Sequence, residues 1–405
     1  MRILVIADYL PYPLIGGDRI RIYNILRRAA EKHEISLVAF LEKPSDIEGV
    51  AHLKEFCVHV ETVNFVQRRR FAKLPGMISY ALSGKPPELS LLYSDEFTRK
   101  IKKLTDAVDF DIVQIEHARM GLYLEKISPS KSRKSAIMFH NFTSQQYDRV
   151  SHVEKRWDRK IRSKLNSIAM GYWEPRYAEK FSLSTTVSEE DRQLLLDANP
   201  RLQVEVIPNG VDVKKYQPLP LPSKNIPPSL LYLGNMGYPP NVDAALYFCE
   251  EILPLIRQKS NDAELWVVGR DPSPEVLALD GENVHVTGRV DDVIPYYQKS
   301  AICVVSLRAG GGTRLKILEA MALGRPVIST SIGCEGLDVL DGEHLLIADT
   351  PAQFAEKTTR LLHDIELYQH LSTNGRKLVE NYYDWDPIAD KLMDLYEEMI
   401  GANLG

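Results

Sequence analysis

The sequence predicts an α/β protein made of two similar halves, each a parallel sheet with helices on both faces. Three observations predict it. Short apolar runs alternate with helix-period segments along the whole chain. The pattern stops at a proline-rich stretch, Pro208 to Pro228, and then restarts. The glycine-rich loops fall directly after apolar runs and directly before helical ones. A length of 405 residues also suits two domains better than one core.

Taken in order, Arg2 to Ala7 (RILVIA) reads as a buried strand, Arg19 to His33 as an amphipathic helix and ISLVAF as the next strand. DIVQIE, SAIMF and SLSTTV continue the first half. The second half runs through LLYLG, the helix DAALYFCEEILPLIRQ, and then ELWVVG, VHVTG, AICVVS and PVIST. The tail, YYDWDPIADKLMDLYEEMI, reads as a last helix that returns to the first half. The expected domains are residues 1–205 completed by a helix at 386–401, and residues 206–385. Both are Rossmann-like, and they are expected to face each other across a cleft. Parallel strands point their C-terminal ends at one edge, and ligands bind there.

Composition narrows the class. A net charge of -5 argues against a nucleic-acid partner. Cys57, Cys249, Cys303 and Cys334 form no CxxC pair and read as reduced thiols in a reducing compartment. The first apolar run is too short for a secretory signal, and no stretch approaches the roughly 18 apolar residues of a spanning helix, so the expectation is a cytoplasmic protein. Charge is uneven, however. Lys131 to Lys164 holds ten Lys/Arg against three Asp/Glu, and a run from Phe65 mixes Arg68, Arg69, Arg70 and Lys73 with large apolar residues. Two readings stay open there: a solvated helix face, or peripheral attachment to an anionic membrane on its inner face.

The segment SLRAGGGTRLKILEAMALGRPVIST, Ser306 to Thr330, carries the chemistry. A strand is followed by three glycines, and a helix ended by Gly324 and Pro326 comes next. Glycine lets backbone N–H groups approach a ligand closely, and a helix N-terminus adds unpaired donors and partial positive charge. Both favour a phosphate or diphosphate, and Arg314 and Lys316 add fixed cations. Glu319, about one turn further on, suits a pair of ribose hydroxyls. The structural alternative is a flexible loop before a core helix, with Glu319 in a salt bridge. Gly16 and Gly17 form a similar strand-to-helix turn in the first half, followed by Arg19 and Arg21 as acceptor contacts. His140 and His117 each stand at a strand end, Glu116 beside the latter. The DxD pairs Asp109/Asp111 and Asp384/Asp386 fall at a strand start and before a helix, so neither reads as a metal site, and no HExxH, CxxC or GxGxxG occurs.

With EVIPNGVDVKKY, LLYLGNM, LWVVGRDP and VHVTGRVDDVIPYYQKSAI before it, GGGTRLKILEAMALGRPVIST resembles the retaining nucleotide-sugar glycosyltransferases of family four. The resemblance covers most of the second half and is weaker in the first. It implies the GT-B fold of two Rossmann-like domains and transfer of a sugar from a nucleoside diphosphate to a hydroxyl of a glycan or lipid-linked acceptor, in cell-surface polysaccharide synthesis. It implies no metal and no further cofactor. The family carries two glutamates seven residues apart. The second matches Glu319, the ribose contact; the first falls at Gly311, so backbone amides of Gly311 and Gly312, leading into Thr313, take part of its role. Asn235 stands where the family commonly has an arginine aimed at the diphosphate, with Asn241 near it as a second hydrogen-bonding group or a helix cap. Arg314 and Lys316 then carry more of the charge. Arg289 and Val290 match the nucleobase loop, Gly16 and Gly17 the N-terminal glycine loop against the donor phosphates, and His140 a histidine near the reacting sugar, with His117 on the acceptor side. The resemblance leaves two alternatives: a nucleotide-binding GT-B module without transfer activity, and a nucleotide-sugar epimerase.

Overall fold

Runs of valine, isoleucine and leucine give a strand no polar face, so both its faces must be covered, which is what a parallel sheet between helices provides. The computed structural model describes residues 1–65, 79–80, 83, 85–127, 134–154, 156–221 and 228–401. Arg68, Arg69, Arg70 and Lys73 of the first basic run lie outside the described residues, as do Lys131, Arg133 and Lys155 of the second and residues 222–227 of the proline-rich stretch.

The chain divides into two units. One holds residues 1–147 and 162–208 and the chain from Trp385 onward; the other holds 148–161 and 209–384. The grouping of Asp148–Ile161 with the second unit is not signalled by any break in the sequence pattern. In the first unit, strands β1 (Arg2–Ala7), β2 (Glu34–Leu41), β3 (His59–Asn64), β4 (Ile112–Glu116), β5 (Lys134–Met138), β6 (Leu183–Thr186) and β7 (Val204–Val206) form a parallel sheet in the order β3-β2-β1-β4-β5-β6-β7. In the second, β8 (Ser229–Leu233), β9 (Glu264–Val268), β10 (Val284–Gly288), β11 (Ile302–Val305), β12 (Val327–Ser329) and β13 (Leu346–Ile347) form another in the order β10-β9-β8-β11-β12-β13.

Six helices frame the sites: α1 (Gly17–Ala29), α2 (Thr143–Val153), α3 (Trp157–Ala178), α4 (Pro239–Tyr247), α5 (Leu315–Ala322) and α6 (Trp385–Gly401). The central strands are fully buried. Leu4, Ile6, Val113 and Ile137 belong to the first core, and Leu231, Val267, Val304 and Ile328 to the second. All four cysteines are free thiols, three of them buried. Helix α6 packs on α1, where Arg28 pairs with Asp386 and Lys32 with Asp390 at 2.8 Å. The Tyr396 hydroxyl donates to Gln114 Oε1 at 3.0 Å. Asp386 thus pairs with Arg28 at the start of α6. Asp111 accepts from the Arg2 backbone N–H at 2.7 Å, at the edge where the strands begin.

Arg19 and Arg21 are not free for an acceptor. Arg19 is buried and reaches Glu42 at 2.5 Å and Asp46 at 3.4 Å; Arg21 is buried and donates to the Pro208 carbonyl at 2.8 Å. Both tie α1 to its own unit.

A buried carboxyl marks the inner face of α3. Glu174 is fully buried beside Thr143 and Ser144, and burial pushes its carboxyl from 4.5 up to about 8. The folded state therefore keeps a proton that the unfolded chain releases, so stability falls as pH rises between those two values and is level above them. In Glu174→Gln that slope is expected to vanish, with Tm at pH 8 raised by at least about 3 °C over the unsubstituted protein and little difference at pH 5. Calorimetric melts across pH check it.

Candidate active site

Each sheet has one place where neighbouring strands send their connections in opposite directions: between β1 and β4 in the first unit and between β8 and β11 in the second. A crevice forms outside the C-terminal ends of the strands at such a point.

In the second unit, β8 ends at the Gly234–Asn235 turn and β11 ends at the Ser306–Gly312 loop. Gly310 and Gly312 have φ of 140° and 66°, and a Cβ on Gly310 would lie 2.7 Å from Nη2 of Arg314. The positive φ at both positions explains the glycines. Arg314 turns its guanidinium back under the loop, and Nη1 donates to the carbonyls of Gly311 and Gly312. Its Nε and Nη2 are buried with no hydrogen-bond partner, and burial lowers its pKa. Arg149, from α2, donates to the Gly310 carbonyl at 2.8 Å and to Glu335 Oε1 at 2.7 Å. This arginine of the basic run therefore belongs to an ion pair and is not part of a solvated face.

Lys316, in the first turn of α5, places Nζ 4.6 Å from the Tyr232 ring centre and donates to Asn241 Oδ1 at 3.4 Å. Burial pushes its ammonium from 10.5 down to about 8. Among the described residues neither Arg314 nor Lys316 forms an ion pair. Two half-buried cations without carboxylate partners favour an anion. One turn on, burial raises Glu319 to about 7, against the opposing pull of the Tyr216 hydroxyl, which donates to it at 3.4 Å. The Thr313 hydroxyl accepts from Asn209 at 2.6 Å.

Asn241 is not the cap of α4: Tyr238 is, and Asn241 sits inside the first turn. Its Nδ2 donates to the Asn235 carbonyl at 3.1 Å, and its Oδ1 accepts from Tyr232 at 3.1 Å. The Asn235 side chain accepts from the Gly237 N–H at 3.1 Å and so closes its own turn. Arg289 is exposed after Gly288, while Val290 packs partly on the core.

In the first unit the rim is built from imidazoles matched to carboxylates. His140, buried just after β5, holds Glu116 Oε2 at 2.7 Å through Nε2 and faces Asp18 Oδ1 at 3.5 Å through Nδ1. His117, after β4, meets Asp8 Oδ1 at 3.1 Å through Nδ1, and its Nε2 lies 3.9 Å from Asp18 Oδ2. The two rings lie 3.9 Å apart. Arg119 donates to Asp8 Oδ2 at 2.6 Å. Burial would lower His140, but Asp18 and Glu116 lift it to about 9, so it is imidazolium at neutral pH. Burial raises Asp8, and Arg119 and His117 overcome that and hold it well below the carboxylate range. His117 has φ of 65°, a left-handed conformation that costs a non-glycine residue about 1–3 kcal/mol. Gly16, with φ of 101°, turns the chain into α1, which starts at Gly17.

Asp18, His117 and His140 each offer a ligand atom, all within 4.8 Å of one another, so they are the described residues able to hold a metal. Sequence spacing gives no hint of this group, since its members come from the start of α1 and the ends of β4 and β5. An ion there would have to displace the His140 proton. Asp8, Asp18, Arg119, Arg149, Asn209 and Tyr216 also escape a motif reading. Two signals exist in retrospect: Asp18 directly follows Gly16–Gly17, and Asn209 and Tyr216 lie within IPNGVDVKKY.

Comparison with known proteins agrees with this geometry. A model described as Glycosyltransferase Family 4 matches residues 15–215, and one described as Glycosyl transferases group 1 matches residues 227–364. An uncharacterized 44.6 kDa protein in the cps region of Klebsiella pneumoniae is 22% identical over 95% of this chain and 96% of its own. An MMP alpha-(1->4)-mannosyltransferase of Mycolicibacterium hassiacum is 27% identical over 72% of this chain and 71% of its own. A sucrose-phosphate synthase from Thermosynechococcus elongatus superposes with a TM-score of 0.74 at 18% identity, over 99% of this chain and all (100%) of that one. Two doubly wound parallel sheets of this order have the GT-B fold, and the two family models make the chain a glycosyltransferase of that fold. The chain belongs to glycosyltransferase family 4.

The cradle predicts a pH window. A diphosphate favours protonated Lys316, so affinity falls as pH rises above about 8; ribose hydroxyls favour ionised Glu319, so affinity also falls as pH drops below about 7. Calorimetric titration with a nucleoside diphosphate is expected to give a bell-shaped profile. Lys316→Met flattens its alkaline limb and Glu319→Gln its acid limb. Lys316→Met is also expected to raise Tm near neutral pH, because a charge that burial disfavours is removed.

Proposed function

We propose that the protein is a retaining glycosyltransferase that moves a hexosyl group from a nucleoside diphosphate sugar to a hydroxyl of a glycan or lipid-linked acceptor, without a metal on the diphosphate. The observation that carries this reading is the pair of half-buried cations, Arg314 and Lys316, beside the glycine loop and lacking carboxylate partners. The bond from the anomeric carbon to the diphosphate oxygen breaks, its electron pair leaves with the diphosphate, and the two cations offset the growing negative charge. The acceptor oxygen bonds to the same carbon from the same face, and its proton passes to the departing phosphate. Retention rests on the family resemblance. A surface-polysaccharide role is supported by the full-length likeness to a protein of a cps region.

The Glu116–His140–Asp18 array supports a role at the sugar: two carboxylates keep the imidazolium charged and oriented near neutral pH, and the exposed Asp18 carboxylate can accept from a sugar hydroxyl.

Incubation with a panel of nucleoside diphosphate sugars and glycan acceptors, followed by product analysis, tests the reading. Transfer with retained anomeric configuration, unchanged by a chelator, is expected. Binding of every donor without transfer identifies an inactive module, and isomerisation of the sugar without acceptor identifies an epimerase. Lys316→Ala is expected to lower turnover about 10²–10³-fold with little loss of folding. Arg314→Ala, which also strips the loop carbonyls of their donor, is expected to lower both turnover and Tm.

A further inference from the structure

Helix α3 carries an apolar stripe on its outer face. Trp157, Ile161, Leu165, Ile168 and Tyr172 recur at steps of four, four, three and four residues and are 75%, 53%, 62%, 64% and 58% exposed. That spacing keeps all five on one side of a helix. The stripe is roughly 22 Å long at a rise of about 1.5 Å per residue. The buried residues of α3 begin only at Ser167 and include Met170, Trp173 and Tyr177, on the opposite side. Five large apolar side chains in a line form a patch well beyond isolated surface exposure.

The charge beside the stripe indicates what covers it. Arg156, just before α3, and Arg159, Lys160, Arg162 and Lys164 in its first turns outnumber the two nearby carboxylates, Asp158, 3.1 Å from Arg156, and Glu154, 4.0 Å from Arg159. Lys160 and Arg162 flank the stripe on its two sides, where long cationic side chains reach past buried apolar groups to lipid headgroups. A second copy of the helix would bring like charges together, whereas an anionic surface would be attracted to them. Tryptophan and tyrosine at the two ends of the stripe are the residues that settle at a membrane–water boundary. No helix of the described residues is long and apolar enough to cross a membrane, so contact through α3 lies in the surface plane.

We infer that α3 docks the protein on an anionic lipid bilayer, its Trp157–Tyr172 stripe buried among the headgroups. The inference deepens the lipid-linked acceptor reading, yet it is measured without catalysis.

Flotation with phosphatidylcholine vesicles, with and without phosphatidylglycerol as the anionic lipid, tests it on the whole chain. Binding to the anionic vesicles at least about tenfold stronger than to the neutral ones, weakened severalfold by high salt, is expected. Leu165→Glu with Ile168→Glu is expected to cut partitioning at least about tenfold without lowering Tm, and Lys160→Glu with Arg162→Glu to abolish the preference for anionic lipid. Absence of vesicle binding overturns the inference. So does binding unchanged in both double variants, or a dimer seen by light scattering that Leu165→Glu with Ile168→Glu dissociates, which would make the stripe a self-interface. Transfer to a water-soluble acceptor is expected to be unchanged in these variants. If no form transfers sugar, the functional reading fails while the vesicle result stands on its own.

Discussion

A half-buried ammonium and guanidinium without a carboxylate partner are the condition on which the second unit's site rests. Removing a cation from water is costly, and the drop of Lys316 to about 8 is a direct expression of it. Among the described residues, its direct contacts are a neutral amide oxygen and an aromatic face. Asn241 and Tyr232 can hold that position because both are anchored in the β8 core and turn. Arg314 uses one nitrogen to brace the loop that its helix follows, leaving two without partners. A carboxylate side chain at Gly311 would neutralise this field. A glycine there instead contributes a backbone carbonyl to Arg314, and the positive potential stays available to a ligand.

The first unit solves the opposite problem. Each of its imidazoles already has a carboxylate at one ring nitrogen, Glu116 for His140 and Asp8 for His117. Charges there are largely compensated, so the rim offers oriented donors and acceptors with little net attraction for an anion. The left-handed backbone at His117 is retained because its N–H bonds to the Met138 carbonyl at 3.0 Å and its ring is fixed by Asp8. Orientation, not attraction, is what this arrangement supplies, and a hydroxyl-bearing ligand is what can use it.

The central strands were legible because their residues are apolar on both faces: RILVIA, DIVQIE, SAIMF, ELWVVG and AICVVS all coincide with β1, β4, β5, β9 and β11 to within a residue or so. The edge strands β3, β7 and β13 were not. β3 is HVETVN, with one fully buried position, and β7 and β13 have three and two residues, too few for any period to show. The glycine loop and the cations after it were readable because a single short segment holds them in a fixed order. Where those cations point was not. Arg314 curls under its loop and Asn235 closes its own turn, outcomes set by packing that spacing does not encode. The histidine–carboxylate array was hidden for a different reason: Asp8, Asp18, Glu116 and His140 come from three strand ends and a helix start, and only the strand order unites them.

The two glycine turns look equivalent in sequence, and their helices separate them. Helix α1 has Asp18 in its first turn, where a carboxylate satisfies the partial positive charge of the N-terminus. A phosphate at Gly16 and Gly17 would meet that carboxylate, whose pKa His140 and His117 hold low against the upward push of burial. Helix α5 has no acidic residue in its first turn and carries Lys316 there, preceded by Arg314 at its cap. Cations at a helix N-terminus oppose the dipole and add to a burial already unfavourable for them. Such a pattern is stable only if the surrounding fold pays the difference, and it is relieved when a polyanion binds. A polyanion is therefore favoured at α5 and the loop before it, while at the first unit's rim Asp18 of α1 sets a carboxylate beside the imidazolium of His140.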